Sequence, residues 1–110
     1  MPIRNRWRDF KEQEINRVPE VPGVYELGDA NEHVVYIGSS ESSIRARLLT
    51  HIKARKTVRV EYFRFKKLDS WDSSDPKEEE GRLVRQYRKQ NRGKNPRLQE
   101  RAPKKSTWPF

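Results

Sequence analysis

The chain has 110 residues, 37% of them charged and 32% hydrophobic, with a formal net charge of +9 and no cysteine. That is enough for one domain with a modest core, and it excludes disulfides, thiolate metal sites and thiol nucleophiles. No apolar run approaches the ~20 residues of a membrane span, and MPIRNRWRDF lacks the apolar centre of a signal peptide, so a soluble cytoplasmic protein is expected.

In chain order, RNRWRDFKEQEINRV (4–18) predicts a short amphipathic helix with Trp7 and Phe10 sharing a face. Pro19 and Pro22 break it. GVYEL (23–27) and VVYIG (34–38) predict two strands, joined through GDANE (28–32) as an antiparallel hairpin. SSESSIRARLLTHIKAR (39–55) predicts a helix whose serines are N-cap candidates and whose Ile44, Leu48, Leu49 and Ile52 form an inward stripe. TVRVEYFRFKKL (57–68) predicts a third strand. Asp75, Pro76 and Glu78 then open a helix over 76–91, by capping box and first-turn proline. Leu83, Val84 and Tyr87 share its inner face, and Gly93 stops it. The remainder, KNPRLQERAPKKSTWPF, has no clear period.

The order α-β-β-α-β-α predicts an α/β (α+β) fold, a three-stranded antiparallel sheet flanked by helices. It divides as an N-terminal helix and linker (1–21), a central domain (22–99) and a basic tail (100–110).

Charge is unevenly placed. Residues 1–81 carry 15 Lys/Arg against 15 Asp/Glu, whereas residues 82–110 carry 10 against the single acid Glu100. The whole positive excess therefore lies in the last 29 residues, a pattern suited to gripping a polyanion, with nucleic acid, DNA above all, the expected partner. Arg45, Arg85, Arg88, Lys89, Arg92, Lys94 and Arg97 are the candidate phosphate contacts, with Gly38 and Ser39 beside the strand end.

Some polar residues sit at inward positions. Glu80 lies three before Leu83, four before Val84 and seven before Tyr87, at the margin of an apolar stripe. Desolvating a carboxylate there costs several kcal/mol unless a cation or donors compensate. Arg47 follows Ile44 by three and His51 follows Leu48 by three, so both lie on or beside the stripe of their helix. An acid for a divalent ion, an arginine for phosphate, and a phenol or imidazole for a proton are the parts of phosphoryl chemistry.

PGVY with VVYIGSS, then SSIRARLLTH, then EGRLV, resembles the GIY-YIG nuclease family across residues 22–99. The resemblance implies a metal-dependent endonuclease that hydrolyses DNA phosphodiesters with weak sequence specificity or structure selectivity, using one Mg²⁺ or Mn²⁺. It implies Tyr25, Tyr36, Arg47, His51 and Glu80 as catalytic residues and Glu80 as the metal ligand. Arg47 would brace the scissile phosphate, and a tyrosine or His51 would manage the proton of the attacking water. His51 is the better matched to neutral pH by its unperturbed pKa of about 6.5. The chain departs from the family pattern by one extra residue between Tyr36 and Arg47, and by Gln99 where the family has asparagine, with Asn95, just before Pro96, able to substitute for it in space. That departure keeps two alternatives open: a catalytically weak or inactive nucleic-acid-binding module, and an accessory subunit that docks a partner or a second copy through Trp108–Phe110.

Overall fold

The computed structural model describes residues 6–54, 60–68, 75–94 and 96. Among these the elements run β1 (Arg8–Asp9), α1 (Glu12–Ile15), β2 (Gly23–Gly28), β3 (Val34–Ser40), α2 (Ile44–Ala54), β4 (Tyr62–Lys67) and α3 (Pro76–Gln90). The sheet has four antiparallel strands in the order β1-β4-β2-β3. The mixed α+β class is as expected, and the strand count is not.

The extra strand comes from the N-terminal segment. In place of a helix over 4–18, Arg8 and Asp9 pair with Phe63 and Tyr62, and only Glu12–Ile15 coils. Strand geometry sends alternate side chains to opposite faces. Phe10 accordingly meets Phe63 edge-on at 6.4 Å and Arg8 lies over Phe65, whereas Trp7 lies over Arg64 from the other face. Trp7 and Phe10 therefore do not share a face. Their three-residue spacing mimics a helix, but an open edge of β4 offered backbone partners that a short charged segment could not supply to itself. Ile15 and Val18 are buried in one core with Leu27 and Phe63, so residues 8–18 pack as part of the same unit as the strands that follow.

The hairpin forms as predicted, β2 pairing with β3 from Gly23↔Ser40 to Leu27↔Tyr36, with a register irregularity at Leu27/Gly28. In its loop, Asp29 Oδ1 accepts from the N–H groups of Asn31 and His33, the local bonding that suits Asp to turns. β4 is shorter than the predicted 57–68, whose first residues fall partly outside the described ones. It enters on the other side of β2, placing β2 and β4 at the centre and β3 at an edge.

The two sheet faces have separate cores. Tyr25, Leu27, Tyr36, Phe63 and Phe65 pack against Ile44 and Leu48 of α2, with Leu49 and Ile52 alongside. Val24, Ile37 and Leu68 pack against Leu83, Val84 and Tyr87 of α3. Helix ends follow the predicted residues closely. Ser43 Oγ accepts the Ala46 N–H at 3.1 Å to cap α2, and Ser40 Oγ accepts from Ser43 at 2.9 Å. The Asp75 N–H donates to Glu78 Oε1 at 3.4 Å, and Gly93, at φ +81°, returns its N–H to the Arg88 carbonyl at 2.7 Å. No helix among the described residues is long and apolar enough to cross a membrane.

Candidate active site

Tyr25 and Gly38 are cross-strand partners on β2 and β3. The hydroxyl end of the Tyr25 ring lies against Gly38, so that a methyl group built there would land on the phenol itself. Gly23 is similarly hemmed in by Ile44 and the Lys66 carbonyl. The glycines that flank the two tyrosines are thus required by packing within the chain. Gly38, a candidate nucleic-acid contact in the sequence, is occupied by the Tyr25 side chain.

Beyond Gly38 the Tyr25 hydroxyl reaches α2. Tyr25 Oη and His51 Nε2 are 2.6 Å apart, and the His51 ring contacts both Tyr25 and Tyr36 at centroid distances of 5.3 and 5.2 Å. Arg47, one turn before His51, also hydrogen-bonds the Tyr25 side chain. A guanidinium can only donate, so Tyr25 Oη accepts from Arg47 and has its own proton to give to His51 Nε2. Arg47, Tyr25 and His51 form a directed chain, with Tyr36 against its imidazole end.

Glu80 approaches from α3 on the other face. Its Oε1 accepts the Ser39 hydroxyl at 2.6 Å, and its charge is felt at both phenols. The β3 edge is where this becomes possible. Tyr36 and Gly38 face α2, Ser39 faces α3, and no further strand separates the two helices there among the described residues. Tyr25, Tyr36, Arg47, His51 and Glu80 are therefore gathered at one sheet edge, with Ser39 as the link to Glu80.

Burial sets the protonation of this cluster. It pushes the Tyr25 phenol far above its ordinary value, with Tyr36 and Glu80 adding and Arg47 opposing. Burial and then Glu80 push Tyr36 up to about 12 against Arg47. His51 is 0% exposed, and burial followed by Arg47 holds it down at about 3. The imidazole thus loses the match to neutral pH that its ordinary pKa suggests. At pH 7 both phenols are neutral donors and His51 is a neutral acceptor.

Adjacent glutamates have separate duties. Glu79, on the same helix turn, is buried and paired with Arg82 and with Lys66 at 3.4 Å, which hold its carboxyl below the usual range. Glu80 is the half-buried one that faces β3. The helical offset from Leu83 distinguished the two in the sequence. Nothing there indicated that Ser39 would fasten Glu80 or that Lys66 would reach Glu79, whereas the Glu79–Arg82 pair has ordinary i,i+3 helical spacing.

Of the candidate phosphate contacts, Arg85, Arg88, Lys89, Arg92 and Lys94 are exposed on α3 and its terminus. Arg82, Arg85, Arg88 and Lys89 border a broad shallow depression there. Arg45 is committed elsewhere, its Nε donating to the Val18 carbonyl at 2.7 Å and its Nη1 lying 3.6 Å from Glu20. Arg97, Asn95, Gln99 and the Trp108–Phe110 end lie outside the described residues.

A family model described as "Domain of unknown function (DUF7508)" matches residues 1–90. The chain belongs to the DUF7508 family. That match replaces the resemblance to GIY-YIG nucleases, since the GIY-YIG family itself is not matched. The DUF7508 match spans β1 to the end of α3, and so takes in every residue of the cluster. The paired tripeptides that carried the resemblance have a local cause in this DUF7508 chain: a tyrosine on one strand lying over a glycine on the next. No curated protein matches the chain.

A divalent ion would find one carboxylate here. Among the described residues no three His, Asp or Glu side chains gather as a metal cage. Glu80, steadied by Ser39 and keeping its second oxygen, suits Mg²⁺ or Mn²⁺, because Mg²⁺ keeps several waters and takes one or two carboxylates plus substrate phosphate. His51, fully buried and hydrogen-bonded to Tyr25, is not available as a ligand.

Proposed function

We propose that the chain is a metal-dependent phosphodiesterase acting on nucleic acid, an endonuclease of low sequence specificity. The observation that carries this reading is the meeting, at the β3 edge, of the Arg47–Tyr25–His51 chain with the Ser39–Glu80 pair. One face of the cluster offers a guanidinium and the other a carboxylate, which is the polarity a phosphodiester bridging to a cation requires.

Bound at Glu80, a divalent ion would supply Lewis-acid polarisation of the phosphate and of water. The chain's own groups do the rest. Ser39 holds the Glu80 carboxylate in one rotamer. Arg47 offsets the charge that grows on the phosphate oxygens. Tyr36, 8% exposed on an edge strand, is the phenol within reach of solvent and orients the attacking water. The water's proton is released to solvent on the Tyr36 side, because Tyr25 is 0% exposed and its hydroxyl is already engaged by His51 and Arg47. His51, held at about 3 by burial and then by Arg47, stays a neutral hydrogen-bond partner of Tyr25 and is not the base at neutral pH. The exposed cations of α3 hold the flanking backbone.

A second reading, binding without cleavage, is favoured by one fact: Tyr25, Tyr36 and His51 are all held away from neutrality. A single screen separates the two. Single-stranded, duplex, nicked, flapped and branched DNA, with RNA controls, are incubated with Mg²⁺ or Mn²⁺ and either wild type or Glu80→Gln. Hydrolysis requires metal-dependent products that vanish in Glu80→Gln while binding survives. Salt-sensitive binding with no product from any substrate leaves the binding module.

A further inference from the structure

Glu79, Leu83 and Tyr87 recur every fourth residue on the inner stripe of α3, and Glu79 is 5% exposed where that spacing calls for an apolar side chain. Both of its oxygens are bonded. Arg82 Nε donates to Oε1 at 3.0 Å and Arg82 Nη2 to Oε2, from the same helix. Lys66 of β4 donates its Nζ to Oε2 at 3.4 Å, joining the helix to the sheet. The Lys66 and Arg82 side chains are 48% and 44% exposed, so the Glu79 carboxylate is the one charge of the three that has left water. Burying such a charge contributes little to stability, since an apolar residue of similar size often serves as well. What a paired charge adds is direction.

The strand ladder shows where that direction is used. Val24 pairs with Lys66 on one side and with Ser39 on the other, so Lys66, Val24 and Ser39 form one row across β4, β2 and β3. Val24 belongs to the core under α3, and residues in one row share a face. Lys66 and Ser39 therefore stand on either side of Val24, about 10 Å apart at two strand spacings. Glu79 takes Lys66 at one end of the row and Glu80 takes Ser39 at the other, at 3.4 and 2.6 Å. Consecutive helix residues project about 100° apart, so two adjacent glutamates straddle Val24 in this way only within a narrow range of rotation of α3 about its axis. The geometry points to Glu79 as a positioning residue: through Lys66 it fixes the rotation of α3 and so delivers Glu80 to Ser39 and the tyrosine edge. This role extends the reading of Glu80 as the metal ligand, on which the Mn²⁺ arm of its test rests.

Glu79→Leu, Glu79→Gln and Lys66→Met are compared with wild type in the full chain. Nuclear Overhauser transfer between the Glu80 γ protons and the Ser39 β protons reads the contact with no metal present. It should be lost in Glu79→Leu and Lys66→Met, and kept in Glu79→Gln, whose amide oxygen still accepts from Lys66. Mn²⁺ binding, read by paramagnetic broadening at Ser39 and Glu80, should weaken about tenfold in the two variants that lose the contact and stay within about threefold of wild type in Glu79→Gln. The melting temperature of Glu79→Leu should stay within about 5 °C of wild type, because no charge is left buried. A merely structural role predicts the reverse, a lowered melt with an undisturbed contact. Should Glu79→Leu not fold, Lys66→Met decides, since Glu79 there keeps Arg82. Wild type that binds no Mn²⁺ would overturn the metal reading of Glu80 and leave the Overhauser arm to decide the role of Glu79. A Ser39–Glu80 contact that persists in Lys66→Met and in folded Glu79→Leu would overturn the proposal.

Discussion

Acid should unfold this protein through one histidine. His51 is 0% exposed and its pKa falls from 6.5 to about 3, chiefly by burial and then by Arg47. The unfolded chain therefore binds a proton below pH 6.5 that the folded chain refuses until about pH 3. Stability rises with pH wherever the unfolded state binds more protons, so the contribution is complete above 6.5 and is lost as pH falls towards 3. Each unit is worth about 1.4 kcal/mol. Going from pH 7.5 to 4.5 removes about 3 kcal/mol, a large part of the 5–15 kcal/mol typical of small domains. Two carboxylates also move. Glu26, raised by burial against Arg64, works in the opposite sense, favouring the fold as pH falls, while Glu79, lowered by Arg82, adds its loss only below its ordinary 4.5. Comparing wild type with His51→Gln cancels both, since Gln keeps an acceptor for Tyr25 but does not titrate. Urea denaturation followed by circular dichroism at half-unit steps from pH 7.5 to 4.5 should show the wild-type stability falling by about 3 kcal/mol more than that of His51→Gln. A difference between the two that stays constant within about 0.5 kcal/mol across this range would refute the reasoning.

Ser39→Ala should weaken Mn²⁺ at Glu80 by roughly 10- to 100-fold, the usual effect of removing a ligand's supporting hydrogen bond, read by paramagnetic broadening; unchanged broadening would separate Ser39 from the metal. Gly38→Ala should expel the Tyr25 ring and destabilise the fold by about 1–3 kcal/mol, lowering the melting temperature, whereas the same change at Gly81, where the nearest atom is 3.4 Å away at the tip of the Arg85 side chain, should not. Arg64→Met, which leaves Glu26 buried without its cation, should cost about 3–5 kcal/mol, and the double variant with Glu26→Gln should recover part of it. Neutralising Arg85, Arg88 and Lys89 together should make the salt slope of duplex binding shallower by about 0.9 for each phosphate these cations neutralise; an unchanged slope would place the nucleic acid elsewhere.

The local signals in the chain were strong where one face of an element had a simple partner. The hairpin, the α2 stripe, and the Asp75–Glu78 start and Gly93 end of α3 were legible because alternation, helical spacing and capping act within a few residues. Even the inward tilt of Arg47, His51 and Glu80 followed from their offsets to Ile44, Leu48 and Leu83. What the sequence left undecided involved partners far away in it. Whether residues 8–9 coil or extend depended on the free edge of β4, more than fifty residues on. Glu79 and Glu80 differ by one position; Arg82 reaches Glu79 within the same helix, but only the docking of α3 added Lys66 to Glu79 and gave Glu80 to Ser39. The same holds for His51. Its residue type suggests a base for neutral pH, but its protonation is a property of burial and of Arg47, which exist only once α2 lies on the sheet. Glu26 and Arg64 carried no signal at all, because a buried ion pair is written as two ordinary charges in two separate strands until the ladder sets them side by side.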